Sequence, residues 1–118
     1  MIVIILLIIF VAVSPILFSK NKNIKKISSE KAKKMISNKK FYKIIDVRSK
    51  KEWNEGHHPY AINIPVSEFK TYDFNKLNKK PILIYCRSGR RALIAAKKLI
   101  KKGFKNIYYI NKTYKSLL

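Results

Sequence analysis

The chain has 118 residues, room for one small domain, and carries 27 lysines and arginines against 6 acidic residues, a net charge of +21. Its single cysteine excludes an intramolecular disulfide framework and any metal site built from several cysteines. The lysines are spread along the chain without a dedicated stripe beyond the cluster that follows residue 19, and no nucleic-acid motif interleaves them with aromatic residues. The charge therefore predicts a contribution to membrane-surface binding and no specific nucleic-acid partner.

Residues 1–19 carry no charged side chain and are dominated by Ile, Leu, Val and Phe. As a helix they would span roughly 28 Å, close to the ~30 Å thickness of a bilayer's hydrocarbon core. They predict a transmembrane anchor, or an uncleaved signal, followed by a basic linker over 20–27. Since lysines follow the apolar run and none precedes it, the positive-inside rule predicts a single-pass protein with its domain, 28–118, in the cytoplasm.

Beyond the linker, helical and strand patterns alternate along the chain. The linker itself ends in a candidate short strand. Helices are predicted over about 30–38, 50–54, 90–102 and 113–118, and strands over 41–47, 61–64, 82–85 and 106–110. This alternation predicts an α/β fold with about five mainly parallel strands, right-handed crossovers and flanking helices.

The only cysteine, Cys86, follows an apolar strand and precedes an amphipathic helix. It should lie on the turn between them, facing the helix N-terminus, where backbone N–H groups lack helical partners and attract negative charge. Arg87, Arg90 and Arg91 add positive charge nearby. A thiol in such surroundings is expected to ionise more readily than a free one, which favours a reactive nucleophile.

The alternative is an inert buried cysteine, a common fate of free cysteines. It leaves unexplained the adjoining Arg-Ser-Gly-Arg-Arg, 87–91, in which a glycine permits close backbone approach to a ligand. Asp46 also stands at the carboxyl end of a predicted strand. Ligands of parallel α/β sheets bind outside the carboxyl ends of the strands, so we expect Asp46 and Cys86 at one site.

Five segments in this order and spacing resemble the single-domain rhodanese family of sulfurtransferases. They are Asp46-Val47-Arg48, Glu52-Trp53, Gly56-His57, Ala61-Ile62-Asn63-Ile64-Pro65 and Tyr85-Cys86-Arg87-Ser88-Gly89-Arg90-Arg91. The resemblance implies the three-layer rhodanese-like fold. It also implies a Cys86 thiolate that takes the outer sulfur of thiosulfate or a similar donor as a persulfide and passes it to a small or protein thiol acceptor.

The resemblance further implies a substrate-binding loop and a reaction without metal or organic cofactor. The N–H groups and guanidinium groups of the loop would hold the anionic donor, which makes its members the candidate binding residues: Arg87, Ser88, Gly89, Arg90 and Arg91. Asp46 and Arg48 are candidate supporting residues. Asp46 would orient the loop or a neighbouring arginine, or would form a strand-end ion pair that only holds the fold.

Two further expectations concern side chains near Asp46. The i,i+4 spacing of Arg48 and Glu52 predicts a surface ion pair between them. His57 and His58 are adjacent, but the chain has no other histidine and no second cysteine to complete a ligand set, so no metal site is predicted.

Other functions stay open at this stage. Cysteine phosphatases and arsenate reductases use a Cys-x5-Arg loop, whereas position 92 is alanine and Arg91 gives Cys-x4-Arg, which disfavours phosphoryl chemistry. A membrane-tethered persulfide carrier or redox adaptor would use the same Cys86 chemistry toward a protein partner.

Overall fold

The structure is a computed structural model that describes residues 22–118. The predicted anchor, residues 1–19, lies outside the described residues. Among residues 22–118, no helix combines the length and the apolar character needed to cross a bilayer.

Five parallel strands form one sheet in the order β1-β5-β4-β2-β3. Their bounds are β1 Ile24–Lys26, β2 Lys43–Asp46, β3 Ala61–Asn63, β4 Ile82–Tyr85 and β5 Ile107–Tyr109. The helices are α1 Ser29–Ser37, α2 Lys50–Glu55 and α3 Arg90–Lys101, with 3₁₀ turns at Val66–Glu68, Phe74–Lys76 and Tyr114–Leu117. The predicted α/β fold is confirmed, and every strand pair of the described sheet is parallel.

Two elements predicted near the chain ends are present in the structure, one as a strand and one as a 3₁₀ turn. The stretch 20–27, predicted as a basic linker ending in a candidate strand, contributes β1 to the sheet, where it pairs with β5. Its lysines are accommodated because β1 is an edge strand with one exposed side. The final helix predicted over 113–118 is instead a 3₁₀ turn, with Thr113 accepting a hydrogen bond from the Lys115 N–H.

Local signals explain where the helices begin and end. Ser28 caps α1 through a 3.1 Å hydrogen bond from the Lys31 N–H to its hydroxyl. Ser49 and Glu52 form a reciprocal capping box at α2. After α3, Gly103 takes a left-handed conformation, and the N–H of Phe104 returns to the carbonyl of Leu99 at 3.1 Å.

The sheet is buried on both faces, which gives the three layers. Alternate residues of β4 point in opposite directions: Ile82 and Ile84 pack with α3, whereas Leu83 and Tyr85 pack toward α1 and the C-terminal turn. Cys86 continues this alternation onto the α3 side. The pleat of β4 therefore aims the sulfur at the helix that follows it.

Candidate active site

The carboxyl edge of the sheet brings the two predicted strand-end residues together. Asp46 ends β2 and pairs in register with Tyr85, which ends the adjacent strand β4. Cys86 is the next residue. Asp46 and Cys86 were expected at one site, and the structure places both at the same edge of the sheet, because parallel neighbours end on the same side.

Cys86 is 1% exposed, and its sulfur contacts two backbone N–H groups. The Sγ atom accepts hydrogen bonds from the N–H of Gly89 at 3.0 Å and of Ala92 at 3.4 Å. Ala92 belongs to the first turn of α3, whose N–H groups have no partner within the helix. Although the cysteine borders the apolar core, its sulfur therefore lies against polar N–H donors at the start of a helix.

The loop from Cys86 to α3 can take this shape because of Gly89. Its φ of +97° lies in the left-handed region, and a Cβ atom there would lie 2.8 Å from the Cα of Asn111. The loop thus passes directly against the segment after β5. A side chain at position 89 would strain the backbone and collide with a neighbouring main chain.

The remaining loop residues divide into exposed and paired side chains. Arg87, Ser88 and Arg90 are exposed, so the loop covers the sulfur with backbone and presents these side chains to solvent. Arg91 instead forms a two-pronged ion pair with Glu52, at 2.7 Å and 3.0 Å. The predicted donor-binding role of Arg91 stays a prediction, because its guanidinium already faces a carboxylate.

The Arg91–Glu52 pair corrects the predicted pairing of Glu52 with Arg48. The hydrogen bond from Arg91, outweighing burial and aided by Ser49, lowers the pKa of Glu52 to about 2. The hydrogen bond to Glu52, together with the charge of Glu52, outweighs burial and raises the pKa of Arg91. Since Arg91 and Glu52 are separated by 39 positions, no local spacing could have indicated their pairing.

Arg48 turns inward and pairs with Asp46. Its guanidinium contacts both carboxylate oxygens, at 2.6 to 3.0 Å, and donates to the carbonyl of Gly56 at 2.7 Å. Burial alone would lower the pKa of Arg48. The hydrogen bonds to Asp46 and the attraction of its charge outweigh burial, so that the pKa of Arg48 is raised. The guanidinium also lies over the rings of Tyr85 and Tyr114, at 5.7 and 5.0 Å from their centroids.

A cleft of about 440 Å³ opens beside the loop and is lined by charged side chains from three parts of the chain. Arg48 and Glu52 contribute from the β2–α2 region and Arg87 from the cysteine loop. The C-terminal turn contributes Tyr114 and Lys115, which are not among the residues predicted for the site. No motif marks these two residues, since only the packing of the turn brings them to the site.

Neither histidine of the chain belongs to a metal-ligand cluster. Within residues 22–118, no three His, Cys, Asp or Glu side chains are grouped in a way that could hold a metal ion. The His57 ring stacks on Trp53, with centroids 3.4 Å apart. His58 is buried, which lowers its pKa, and its Nδ1 accepts a hydrogen bond from the N–H of Tyr60.

Comparison with known proteins finds relatives named as a tRNA hydroxylase, a sulfur carrier and a thiosulfate sulfurtransferase. The chain is 38% identical over 97 residues to a tRNA uridine(34) hydroxylase of Pelagibacter ubique, covering 80% of this chain and 32% of that protein. It is 36% identical over 86 residues to a putative sulfur carrier protein, YrkF, of Bacillus subtilis, covering 72% and 46%. It is also 36% identical over 77 residues to a putative mitochondrial thiosulfate sulfurtransferase of Schizosaccharomyces pombe, covering 54% of each.

The chain spans between 32% and 54% of the lengths of these curated relatives. Among solved structures, a rhodanese-related protein from Thermoplasma volcanium superposes with a TM-score of 0.64 at 28% identity, covering 79% of this chain and 89% of that one. The family model of the rhodanese-like domain matches residues 28–117. With its parallel sheet and its cysteine loop at the sheet's carboxyl edge, this chain belongs to the family of rhodanese-like domains.

Proposed function

We propose that this chain transfers sulfane sulfur from thiosulfate or a similar anionic donor to a thiophilic acceptor, through a persulfide on Cys86. One observation carries the proposal: the Cys86 sulfur receives two backbone N–H groups at the start of α3. An inert buried cysteine has no need of such donors. Preorganised N–H groups stabilise the sulfur anion both before the transfer and as a persulfide.

The chemistry needs no redox partner. The Cys86 thiolate attacks the outer sulfur of thiosulfate, forming a sulfur–sulfur bond while the bond to the sulfonate breaks, and sulfite leaves with the electron pair. A nucleophilic acceptor such as cyanide or a thiolate then attacks the terminal sulfur of the persulfide. Its attack breaks the new bond and returns Cys86 as a thiolate, so no metal or organic cofactor is required.

The exposed loop side chains supply the recognition of the donor. Arg87 lines the cleft, and Arg90 is exposed at the first position of α3, so both can meet an anion that approaches the loop. The Ser88 hydroxyl and the Gly89 N–H add neutral donors. Arg91 acts through its ion pair with Glu52, which joins α3 to α2 and holds the cysteine loop in position. Asp46 holds the Arg48 guanidinium in position through their own ion pair.

A persulfide carrier is the second candidate, and the similarity to a protein named as a sulfur carrier favours it. A carrier and an enzyme share the first half-reaction and differ in the acceptor. A carrier would pass the sulfur to a protein thiol, whereas the enzyme would serve a small thiol. A phosphatase is disfavoured by the Cys-x4-Arg spacing, since Arg91 closes a shorter loop than a phosphate requires.

The test is mass spectrometry of the full chain after exposure to thiosulfate. We expect one added sulfur atom on Cys86, released by cyanide as thiocyanate. The Cys86→Ser variant should keep its fold and lose turnover by at least roughly a thousandfold, as expected for a lost nucleophile. Sulfur transfer retained in that variant, or phosphate-ester hydrolysis without a persulfide, would overturn the proposal.

We also propose that residues 1–19 anchor the protein as a single-pass membrane protein with the domain in the cytoplasm. The proposal is supported by the uncharged apolar stretch and the lysines that follow it. Protease treatment of spheroplasts carrying a C-terminally tagged chain tests it. We expect the domain to be protected until the membrane is opened, and digestion from outside would contradict the orientation.

A further inference from the structure

The end of the sheet opposite Cys86 gathers the segments that precede four of its strands. The N–H of Tyr42 donates to the carbonyl of Pro81 at 2.8 Å, the N–H of Ile82 to Asn106 at 3.0 Å, and the N–H of Ile107 to Asn23 at 3.0 Å. The entries into β2, β4, β5 and β1 therefore lie side by side in one row.

The C-terminal ends of α1 and α3 lie at the same end, because these helices run against the strands. The Lys40 N–H bonds to the carbonyl of Met35 in α1, and the Nζ of Lys79 donates to the carbonyl of Lys102 after α3. The row of strand entries and the two helix ends form one surface whose charged residues are all lysines. We call this surface the lysine face, and its lysines are Lys22, Lys39, Lys40, Lys43, Lys79, Lys80, Lys101, Lys102 and Lys105.

No acidic residue accompanies these lysines in their own segments, 22–24, 37–43, 78–81 and 101–107. Eight of the nine are exposed, and Lys43 is half-buried. In the described part of the chain, both ion pairs, Asp46–Arg48 and Glu52–Arg91, lie at the opposite end. The positive field of the lysine face is therefore not neutralised within its own segments, and it attracts an extended anionic surface.

Aromatic side chains adjoin the lysines at one corner of this face. A shallow apolar depression of about 530 Å³ lies between the end of α1 and the start of β2, lined in part by Phe41 and Tyr42. Tyr60, 73% exposed, stands at its rim. Lysines beside exposed aromatic rings are typical of surfaces at the headgroup level of a bilayer, where rings and lysine stems insert and the ammonium groups meet phosphate.

The segment that precedes the lysine face in the sequence indicates which anionic surface this face binds. The described chain enters the sheet through Lys22 and β1 at this same end, directly after the uncharged apolar residues 1–19 in the sequence. We propose that the lysine face docks on the anionic headgroups of a lipid bilayer. The cysteine loop, at the other end of the strands, then faces away from the membrane and stays open to donor and acceptor.

Lysine acetylation of the full chain, read by mass spectrometry, tests this docking. The chain is mixed with phosphatidylcholine vesicles or with vesicles that also contain phosphatidylglycerol. On the anionic vesicles we expect modification of Lys40, Lys80 and Lys105 to slow by roughly fivefold, the factor expected of one lysine–headgroup contact. Added salt should reverse the protection.

Matched triple variants serve as controls. Replacing Lys40, Lys80 and Lys105 by Gln should abolish the protection of the remaining lysine face. The same substitutions at Lys50, Lys51 and Lys112, which lie beyond the carboxyl ends of β2 and β5, should leave it intact. Equal protection of both ends, no protection on anionic vesicles, or protection by single-stranded RNA alone would overturn the proposal. Because sulfur transfer is measured separately on Cys86, either proposal can fail without the other.

Discussion

The two ends of the sheet use positive charge in different ways. Every arginine of the chain, Arg48, Arg87, Arg90 and Arg91, lies at the carboxyl end, and two of them hold carboxylates in two-pronged pairs. The segments of the lysine face at the amino end contain lysines and no arginine or acidic residue. The planar guanidinium is therefore used where geometry must be fixed, and the hydrated ammonium where only a positive field is needed.

The two ends also differ in how closely the chain is packed around a glycine. Gly89 and Gly103 have nearly the same left-handed φ, +97° and +96°. A Cβ atom at Gly89 would meet the main chain of Asn111 at 2.8 Å, whereas at Gly103 the nearest atoms belong to the flexible Lys79 side chain, at 3.6 Å. The carboxyl end is therefore tightly packed around the site, and the amino end tolerates change.

The largest effect on stability is expected from Arg48→Ala. It leaves Asp46, 0% exposed, as an unpaired buried charge, and such losses cost about 3–5 kcal/mol in the free energy of unfolding. Urea unfolding measures it, with Arg90→Ala as the exposed control. Should Arg48→Ala fail to fold, Arg48→Lys, which keeps the charge without the fork, should fall between it and the wild type. Loss below about 1 kcal/mol in both variants would contradict a structural role for the pair.

Next is the comparison of Gly89→Ala with Gly103→Ala. We expect about 2–3 kcal/mol of destabilisation at position 89, where strain adds to a collision, and about 1 kcal/mol at position 103, where strain acts alone. Sulfur transfer should fall about a hundredfold in Gly89→Ala because the N–H groups move off the sulfur. Equal behaviour of the two variants would show that the loop is not held by its packing.

A smaller, pH-dependent effect is expected from Glu52→Gln. At neutral pH the loss of the half-buried pair with Arg91 should cost roughly 1 kcal/mol. The folded pKa of Glu52, about 2, lies below its ordinary 4.5, so the unfolded chain binds more protons between these values. The wild-type advantage should be complete above pH 4.5 and disappear as the pH falls toward 2. Unfolding curves recorded across that window test it, and a constant difference would contradict the assignment.

The smallest effect is expected at the amino end. Replacing Lys40, Lys80 and Lys105 by Gln should change the free energy of unfolding by less than about 0.5 kcal/mol, since these side chains are exposed. Turnover with thiosulfate should match the wild type, because the substitutions lie at the end of the strands away from Cys86. A marked loss of either quantity would show that the two ends are coupled.

Local patterns predicted much of the fold and the centre of the site. The apolar run 82–85, the glycine at 89 and the helical spacing after Arg90 were sufficient to place Cys86 on a strand-to-helix turn. Capping signals predicted the helices to within a few residues. The partner of Glu52 was predicted wrongly, because i,i+4 spacing describes neighbours on one helix, and Arg48 precedes α2 and turns to Asp46.

The order of strands and helices, and the place of Cys86 on the turn before α3, could be predicted because they depend on residues close together along the chain. Three features depend instead on packing between distant segments: which arginine each carboxylate pairs with, the lining of the cleft by the C-terminal turn, and the gathering of scattered lysines at one end of the sheet. Parallel strands carry distant segments to a common edge, so contacts and charge clusters there have no signature in local spacing.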